Sequence, residues 1–163
     1  MRRKDREIIN IEEKIKIIKN CKVCRIALSD NNVPYIIPLN YGYIFKNNKL
    51  TLYFHSALEG KKLDIIRINN NACFEIDCDS KLIEGENACD YGYVYKSIIG
   101  FGKIIFLETI KEKIDGLNIL MKHQTEKDTI YTFTEDQIKN VCVYKMEVDE
   151  FTGKQKEPVR KFV

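Results

Sequence analysis

Apolar and polar residues alternate along most of the chain, and a few stretches with helical spacing lie between them. The alternation predicts six strands. They are predicted at residues 23–29, 33–45, 50–55, 72–78, 93–107 and 141–148. Helical spacing after capping residues predicts four short helices, which begin behind Asn10, Ser56, Thr109 and Thr134. Because no regular helical crossovers separate the strands, the order favours a small antiparallel barrel over a doubly wound sheet.

The length and composition are those of one globular domain. The chain has 163 residues, of which 44% are hydrophobic and 31% charged. A chain of this size buries about 70% of its unfolded surface, which is enough for a core of its own. We therefore expect a single domain over residues 1–163, with disordered and collagen-like classes excluded.

The charge balance and the absence of long apolar runs restrict the partners and the location. Lysine and arginine exceed acidic residues by only 3, a surplus too small to indicate a nucleic-acid surface. No stretch approaches the roughly 18 apolar residues of a membrane-spanning helix. The start of the chain has no apolar segment of a signal peptide, so the sequence predicts a cytoplasmic protein.

The six cysteines are expected to be free thiols in such a protein. Cys21 and Cys24 have the spacing of a metal or redox pair, but no second pair of ligands follows, and the segment leads into a strand. No metal site is predicted, and the role of this pair is left open.

The helix predicted after the third strand has the composition of a phosphate site. Ser56 is a predicted N-cap, and Gly60, Lys61 and Lys62 follow in the first turns. A helix N-terminus offers free backbone N–H groups, and the lysines add positive charge. In the alternative reading, Ser56 only caps the helix and the lysines are solvated.

His55 directly precedes this predicted cap. It shares a strand face with Thr51 and Tyr53 rather than with the apolar residues of that strand, so the imidazole faces a space that a ligand could occupy. In the structural alternative, His55 fills space or satisfies a hydrogen bond. Pro34 and Pro38 likewise fit either an edge strand that offers its backbone to a ligand or a plain edge strand.

Four segments of the chain resemble the flavin-binding branch of the pyridoxamine 5′-phosphate oxidase-like superfamily, and within it the relatives of the 5-nitroimidazole resistance proteins. The segments are MRRKDRE (1–7), PYIIPLNYG (34–42), LYFHSALEGKK (52–62) and KSIIGFG (96–102). The resemblance covers nearly the whole chain in order.

The resemblance implies a mainly β, six-stranded antiparallel split β-barrel with short flanking helices, which dimerises and holds FMN at the subunit interface. It implies that residues of four segments contact the cofactor. Pro38, Leu39, Asn40 and Tyr41 would line the isoalloxazine through their backbone, His55, Ser56 and Ala57 would flank the flavin, Lys61 and Lys62 would bind the phosphate, and Ser97 would contribute from nearby.

The expected function is that of an FMN-dependent oxidoreductase with His55 as the catalytic candidate. It would pass electrons from a reduced nicotinamide or similar donor to a small acceptor such as a nitroaromatic. The donor would visit rather than reside, because no GxGxxG follows a strand. The C-terminal pattern by which pyridoxamine phosphate oxidases hold their substrate is not recognisable. The alternative is a non-catalytic flavin or haem carrier or sensor on the same barrel.

The strand at 93–107 is apolar on both of its faces, which predicts a homodimer. Ile99, Phe101 and Ile105 alternate with a second apolar set, and a single small barrel has only one interior to bury them. The other face therefore needs a partner surface.

Overall fold

The computed structural model describes residues 2–157, and its strands form one antiparallel sheet. The strands are β1 (Glu7–Ile8), β2 (Val23–Asp30), β3 (Val33–Asn40), β4 (Gly42–Lys46), β5 (Lys49–Ser56), β6 (Asn71–Ile83), β7 (Gly92–Phe106) and β8 (Cys142–Lys156). The helices are α1 (Ile11–Asn20), α2 (Lys61–Ile68), α3 (Ile110–Thr125) and α4 (Glu135–Lys139). Residue 1 and residues 158–163 of the predicted domain lie outside the described part of the chain.

The sheet curls into an open barrel because its two edge strands are neighbours in the chain. The strand order is β3-β2-β6-β7-β8-β5-β4, with β1 added to β8. Only Tyr41 separates β3 from β4, so the two edges must approach each other there. Tyr41 is fully buried, and its hydroxyl donates to the Ile18 carbonyl at 2.6 Å. The interior is filled by apolar side chains, among them Cys24, Ile26, Leu52, Phe54, Phe74, Ile76, Ile98, Tyr144 and Met146.

Helix α3 covers the outside of the barrel over β4, β5 and β8. A second apolar cluster lies under it, formed by Leu107, Leu117, Ile138 and Val143. Gly42 permits the close approach, because a Cβ at this position would lie 2.5 Å from the Leu120 Cα. The helix therefore holds β4 against the rest of the sheet.

The mainly β, antiparallel class is confirmed, but the structure has eight strands rather than six. The predicted strand over 33–45 is broken at Tyr41, whose carbonyl accepts hydrogen bonds from α3 instead of from a neighbouring strand. The short β1 pairs with residues 153–154 of β8, and both additions raise the count. The strand predicted to end at Val148 continues to Lys156, since pairing with β7 sustains it without apolar alternation.

An irregularity of the sheet lies at the glycines where the sequence predicted that the strand could bend, Gly100 and Gly102. The register between β7 and β8 shifts between Phe101 and Gly102, where Asp149 is the extra residue of a β-bulge. The helix after Asn10 also begins as predicted, because the Asn10 side chain accepts from the amides of Glu12 and Glu13. Within residues 2–157, no helix has the length and apolar character needed to cross a bilayer.

Candidate functional site

The prediction that Ser56 caps a helix is wrong. Ser56 is the last residue of β5, where it pairs with Cys142, and its hydroxyl donates to the Ala57 carbonyl at 2.9 Å. Helix α2 begins only at Lys61, after Gly60 has turned the chain with a φ of 139°. No side chain of the described residues caps α2, so its first amides are available to a ligand.

His55 lies near the end of β5, within electrostatic range of Lys62. Partial burial and, to a smaller extent, the Lys62 charge lower the pKa of His55. The imidazole is therefore neutral at pH 7 and able to accept a proton. As predicted, His55 lies on the opposite sheet face from the buried residues Leu52 and Phe54.

Lys61 points in another direction, towards the hairpin between β2 and β3. Its ammonium lies 3.5 Å from an Asp30 carboxylate oxygen and 5.2 Å from the centroid of the Tyr35 ring. Tyr35 precedes Pro38 by three residues, or about 10 Å along an extended strand. Lys61, at the start of α2, therefore contacts the same edge strand, β3, that carries the segment predicted to line the flavin ring, residues 38–41.

The segment from Pro38 to Tyr41 is held from behind by α3. Pro38 is exposed and Leu39 packs against the core. The Asn40 side chain donates to the Lys22 carbonyl and to the Gln124 side chain, each at 3.2 Å. The Tyr41 carbonyl already accepts two hydrogen bonds from α3, so Tyr41 supports the segment and offers a ligand no carbonyl.

Tyr144 is a functional candidate that the sequence analysis missed. It lies on β8 opposite Phe54, and its ring stacks on Phe54 with 5.6 Å between centroids. The side chain is fully buried, and its hydroxyl has no hydrogen-bond partner within the described residues. Burial raises the pKa of Tyr144, so the hydroxyl is protonated. Tyr144 therefore carries a buried polar group whose hydrogen-bonding capacity is unused.

Ser97 lies far from His55 within one chain. His55 is paired with Val143 of β8, whereas Ser97 is paired with Lys154, eleven residues further along that strand. This separation corresponds to roughly 35 Å of extended chain. The two residues therefore lie beside opposite ends of β8 within one chain.

The outer face of the sheet carries an apolar patch that a second copy could cover. Ile36, Ala27, Cys73 and Phe101 lie side by side across β3, β2, β6 and β7. The exposed fractions are 61% for Ile36 and 51% for Phe101, which is high for large apolar side chains.

The cysteine pair of the sequence analysis lies inside the protein. Cys21 and Cys24 are both buried. Burial raises the pKa of Cys21 to about 12 and also raises that of Cys24. Thiols that stay protonated are poor nucleophiles, so this pair is not a candidate for the reactive group of the site. The remaining candidates are the residues around the start of α2.

Comparisons with known proteins agree with this architecture. Residues 10–155 match the sequence family described as pyridoxamine 5′-phosphate oxidase. A Bacteroides thetaiotaomicron protein, provisionally assigned to 5-nitroimidazole antibiotic resistance, is 31% identical, with a TM-score of 0.78 over 93% of this chain and 90% of its own. A search of curated proteins gave no match.

Two more distant structures share the fold. A FAD- and haem-binding protein from Mycobacterium smegmatis has a TM-score of 0.82 at 13% identity, over 94% of this chain and 74% of its own. A FAD-binding protein from Mesorhizobium loti has a TM-score of 0.64 at 21% identity, over 91% of this chain and 96% of its own.

Proposed function

Because the chain belongs to the pyridoxamine 5′-phosphate oxidase family, we propose that it is an FMN-binding flavoprotein and an oxidoreductase. The observation that carries the proposal is the group at the start of α2. Lys61, Lys62 and the uncapped first amides of α2 are separated from the end of β5 by only four residues. Cationic side chains and helix amides are the groups that bind a phosphate.

The residues of this chain have distinct tasks in the proposal. The amides of α2 and Lys62 neutralise the phosphate, and Lys61 contributes beside Asp30. The edge strand β3 offers the backbone of Pro38 to Asn40 to the ring. When bound, the flavin supplies the electron chemistry. The neutral imidazole of His55 would accept the proton that accompanies electron transfer at one of its own ring nitrogens, and would later return it.

The site is completed by a second copy of the chain. The exposed apolar patch around Phe101 supports a homodimer, and the distance between Ser97 and His55 within one chain supports a site shared between subunits. In this arrangement, Ser97 of the partner subunit closes the flavin site and shields it from water.

The proposed reaction takes electrons from a reduced nicotinamide and passes them to a small acceptor. The similarity to the Bacteroides protein supports nitroaromatics as the first acceptors to test. The runner-up is a carrier or sensor of flavin or haem without turnover, which the neutral imidazole of His55 would also suit.

Reconstitution followed by turnover tests the proposal. Purified apoprotein is titrated with FMN, riboflavin and haemin, and NAD(P)H oxidation is then followed with and without a nitroaromatic acceptor. We expect tight FMN binding, weaker riboflavin binding and acceptor-dependent oxidation. Equal affinities for FMN and riboflavin would contradict the phosphate site, and a haem spectrum without flavin binding would favour the runner-up.

A further inference from the structure

Two thiols from distant parts of the chain meet at the end of α1. Cys21 directly follows α1, and Cys78 lies in β6. The Cys21 thiol donates to the carbonyl of Asp77, the residue before Cys78, with 3.6 Å between Sγ and O. Both cysteines belong to the same apolar cluster in the barrel interior, where Cys21 is buried and Cys78 is partly buried. The two side chains therefore share one small region of the core.

The register of the sheet explains why these two residues meet. The ladder between β2 and β6 ends with Arg25 opposite Glu75. Because the strands are antiparallel, the chain before Arg25 runs beside the chain after Glu75. Cys21 lies four residues before Arg25, and Cys78 lies three residues after Glu75. An offset of one residue from a directly opposite pair corresponds to roughly 6 Å between Cα atoms, which a disulfide can bridge.

Cys78 is the thiol that a small molecule reaches first. It lines an open cavity of about 140 Å³ together with Asn20 at the end of α1 and Lys96 of β7. Only 7% of Cys21 is exposed. A reagent of the size of hydrogen peroxide that enters the cavity therefore meets Cys78, with Cys21 behind it.

The surroundings of the two thiols also give them different roles. Burial raises the pKa of Cys21 to about 12 and also raises that of Cys78. For Cys78, the hydrogen bond with Cys21 and the charge of Lys96, its partner in the β6–β7 ladder, act in the opposite direction. The thiolate is the form that reacts with peroxides. Cys78 is thus the better candidate for the first attack, and Cys21 for the second.

We propose that Cys21 and Cys78 form a reversible disulfide when the folded protein meets a peroxide. This bond would join the end of α1 to β6. The inference is independent of flavin binding, because every residue that carries it belongs to the protein core or to the cavity beside Cys78.

The reaction proceeds in two steps. The Cys78 thiolate attacks one oxygen of hydrogen peroxide, the O–O bond breaks, and the products are a sulfenic acid and hydroxide, which takes up the proton that Cys78 released. The Cys21 sulfur then attacks the Cys78 sulfur, and the S–O bond breaks as the S–S bond forms. The departing hydroxide leaves as water with the Cys21 proton. The two thiols lose two electrons and two protons, and one peroxide becomes two water molecules.

The second step is intramolecular, and the bond is reversible. Cys21 already lies beside Cys78, so no encounter between separate molecules is needed. A small thiol reduces the bond by exchange, through a mixed disulfide. Because the bond closes the loop 21–78, it restrains the unfolded chain, and the oxidised protein should melt about 5–15 °C above the reduced protein.

A peptide map of the full-length wild type tests the proposal without any variant. Reduced protein is treated with an equimolar amount of hydrogen peroxide, the remaining thiols are alkylated, and the chain is digested with trypsin without reduction. Before alkylation we expect a mass loss of about 2 Da, that of two hydrogen atoms. After digestion we expect peptide 20–22 linked to peptide 68–81, with fragmentation placing the bond at Cys78 rather than Cys73.

Two results of this map would overturn the proposal. Trypsin cuts after Lys22, so Cys24 lies in a separate peptide, 23–25. A link between peptides 20–22 and 23–25 would assign the bond to Cys21 and Cys24 instead. The absence of any link to peptide 20–22 would show that the two thiols do not react with each other.

Three variants test the order of the steps. Cys21→Ser should leave a sulfenic acid at Cys78 that reacts with dimedone, since the second thiol is missing. Cys78→Ser should show neither a disulfide nor dimedone labelling at Cys21. Cys73→Ala is the matched control, because Cys73 is a partly buried thiol of the same strand, and it should keep the link. A link that persists in Cys78→Ser, or dimedone labelling of Cys21 there, would contradict the proposed order.

Thermal melting shows whether the bond forms in the native fold. The wild type should gain the stated increase in melting temperature on oxidation and lose it again after dithiothreitol, while Cys78→Ser should melt at the same temperature before and after peroxide. A lower melting temperature for the oxidised wild type would mean that the bond distorts the fold, and it would overturn the proposal of a disulfide that the folded protein accommodates.

Discussion

Replacing Lys62 with alanine should separate phosphate recognition from all other contacts of the cofactor. Lys62 has no carboxylate partner among residues 2–157, and it lies at the uncapped start of α2, where its charge acts on His55. A charge-assisted hydrogen bond of this kind contributes about 1.5–3 kcal/mol. Its loss corresponds to about 10- to 150-fold weaker FMN binding.

The same change should leave riboflavin binding almost unaffected, because riboflavin has no phosphate. The decisive quantity is therefore the ratio of the FMN and riboflavin dissociation constants, measured by fluorescence quenching for the wild type and Lys62→Ala. Lys61→Ala should change the ratio less, since Asp30 already offsets that charge. Lys49→Ala, on the distant hairpin between β4 and β5, is the matched control.

Two results would refute this reasoning. An unchanged ratio in Lys62→Ala would show that the lysine does not contact the phosphate. An equal loss of affinity for both ligands would show that the substitution damages the site as a whole. Thermal melting of the apoprotein should be nearly the same in all three variants, because each replaces a lysine at the surface.

Four other measurements examine the site and the interface. With full FMN occupancy, His55→Gln should lower turnover by roughly 10²- to 10⁴-fold, and an unchanged rate would remove it from catalysis. Tyr144→Phe should stabilise the apoprotein by about 1–3 kcal/mol in urea unfolding, since an unpartnered hydroxyl is lost; destabilisation would mean that the hydroxyl has a partner. Phe101→Lys should convert a dimer of 19.1 kDa chains into monomers in light scattering, unless the interface lies elsewhere. In an NMR titration of the apoprotein, Lys62→Ala should raise the pKa of His55, because removing a positive charge favours the imidazolium; no change would place Lys62 away from the ring.

Local signals in the sequence predicted what local interactions determine. Asn10 and Thr109 cap their helices as expected, because each cap bonds to amides within the next three residues. Ser56 has the same sequence signal and fails, because pairing with Cys142 keeps it extended in β5. A four-residue capping pattern contains no information about a strand partner so distant in the chain.

The part of the candidate site that is contiguous in sequence could be predicted. The stretch from His55 to Lys62 is indicated by the alternation of the strand and by the glycine and lysines that follow it. That the Tyr144 hydroxyl lacks a hydrogen-bond partner could not be predicted, because this depends on which groups surround it in three dimensions. His123, a buried residue of α3 whose ring nitrogen contacts the Tyr41 carbonyl, could be noticed in the sequence for one reason: it follows Leu120 by three residues and so lies on the buried face of the helix.

The position of β8 determines when this protein can fold during synthesis. β8 is the last strand within residues 2–157, yet it lies between β7 and β5 and also pairs with β1. The strands formed by the first hundred residues therefore keep unpaired edges until residues 142–156 have left the ribosome. Such distant pairing slows folding and exposes edges that attract other chains. A chain that ends before Cys142 lacks the strand that joins its two halves, and chaperones should bind such truncated products while releasing the full-length protein.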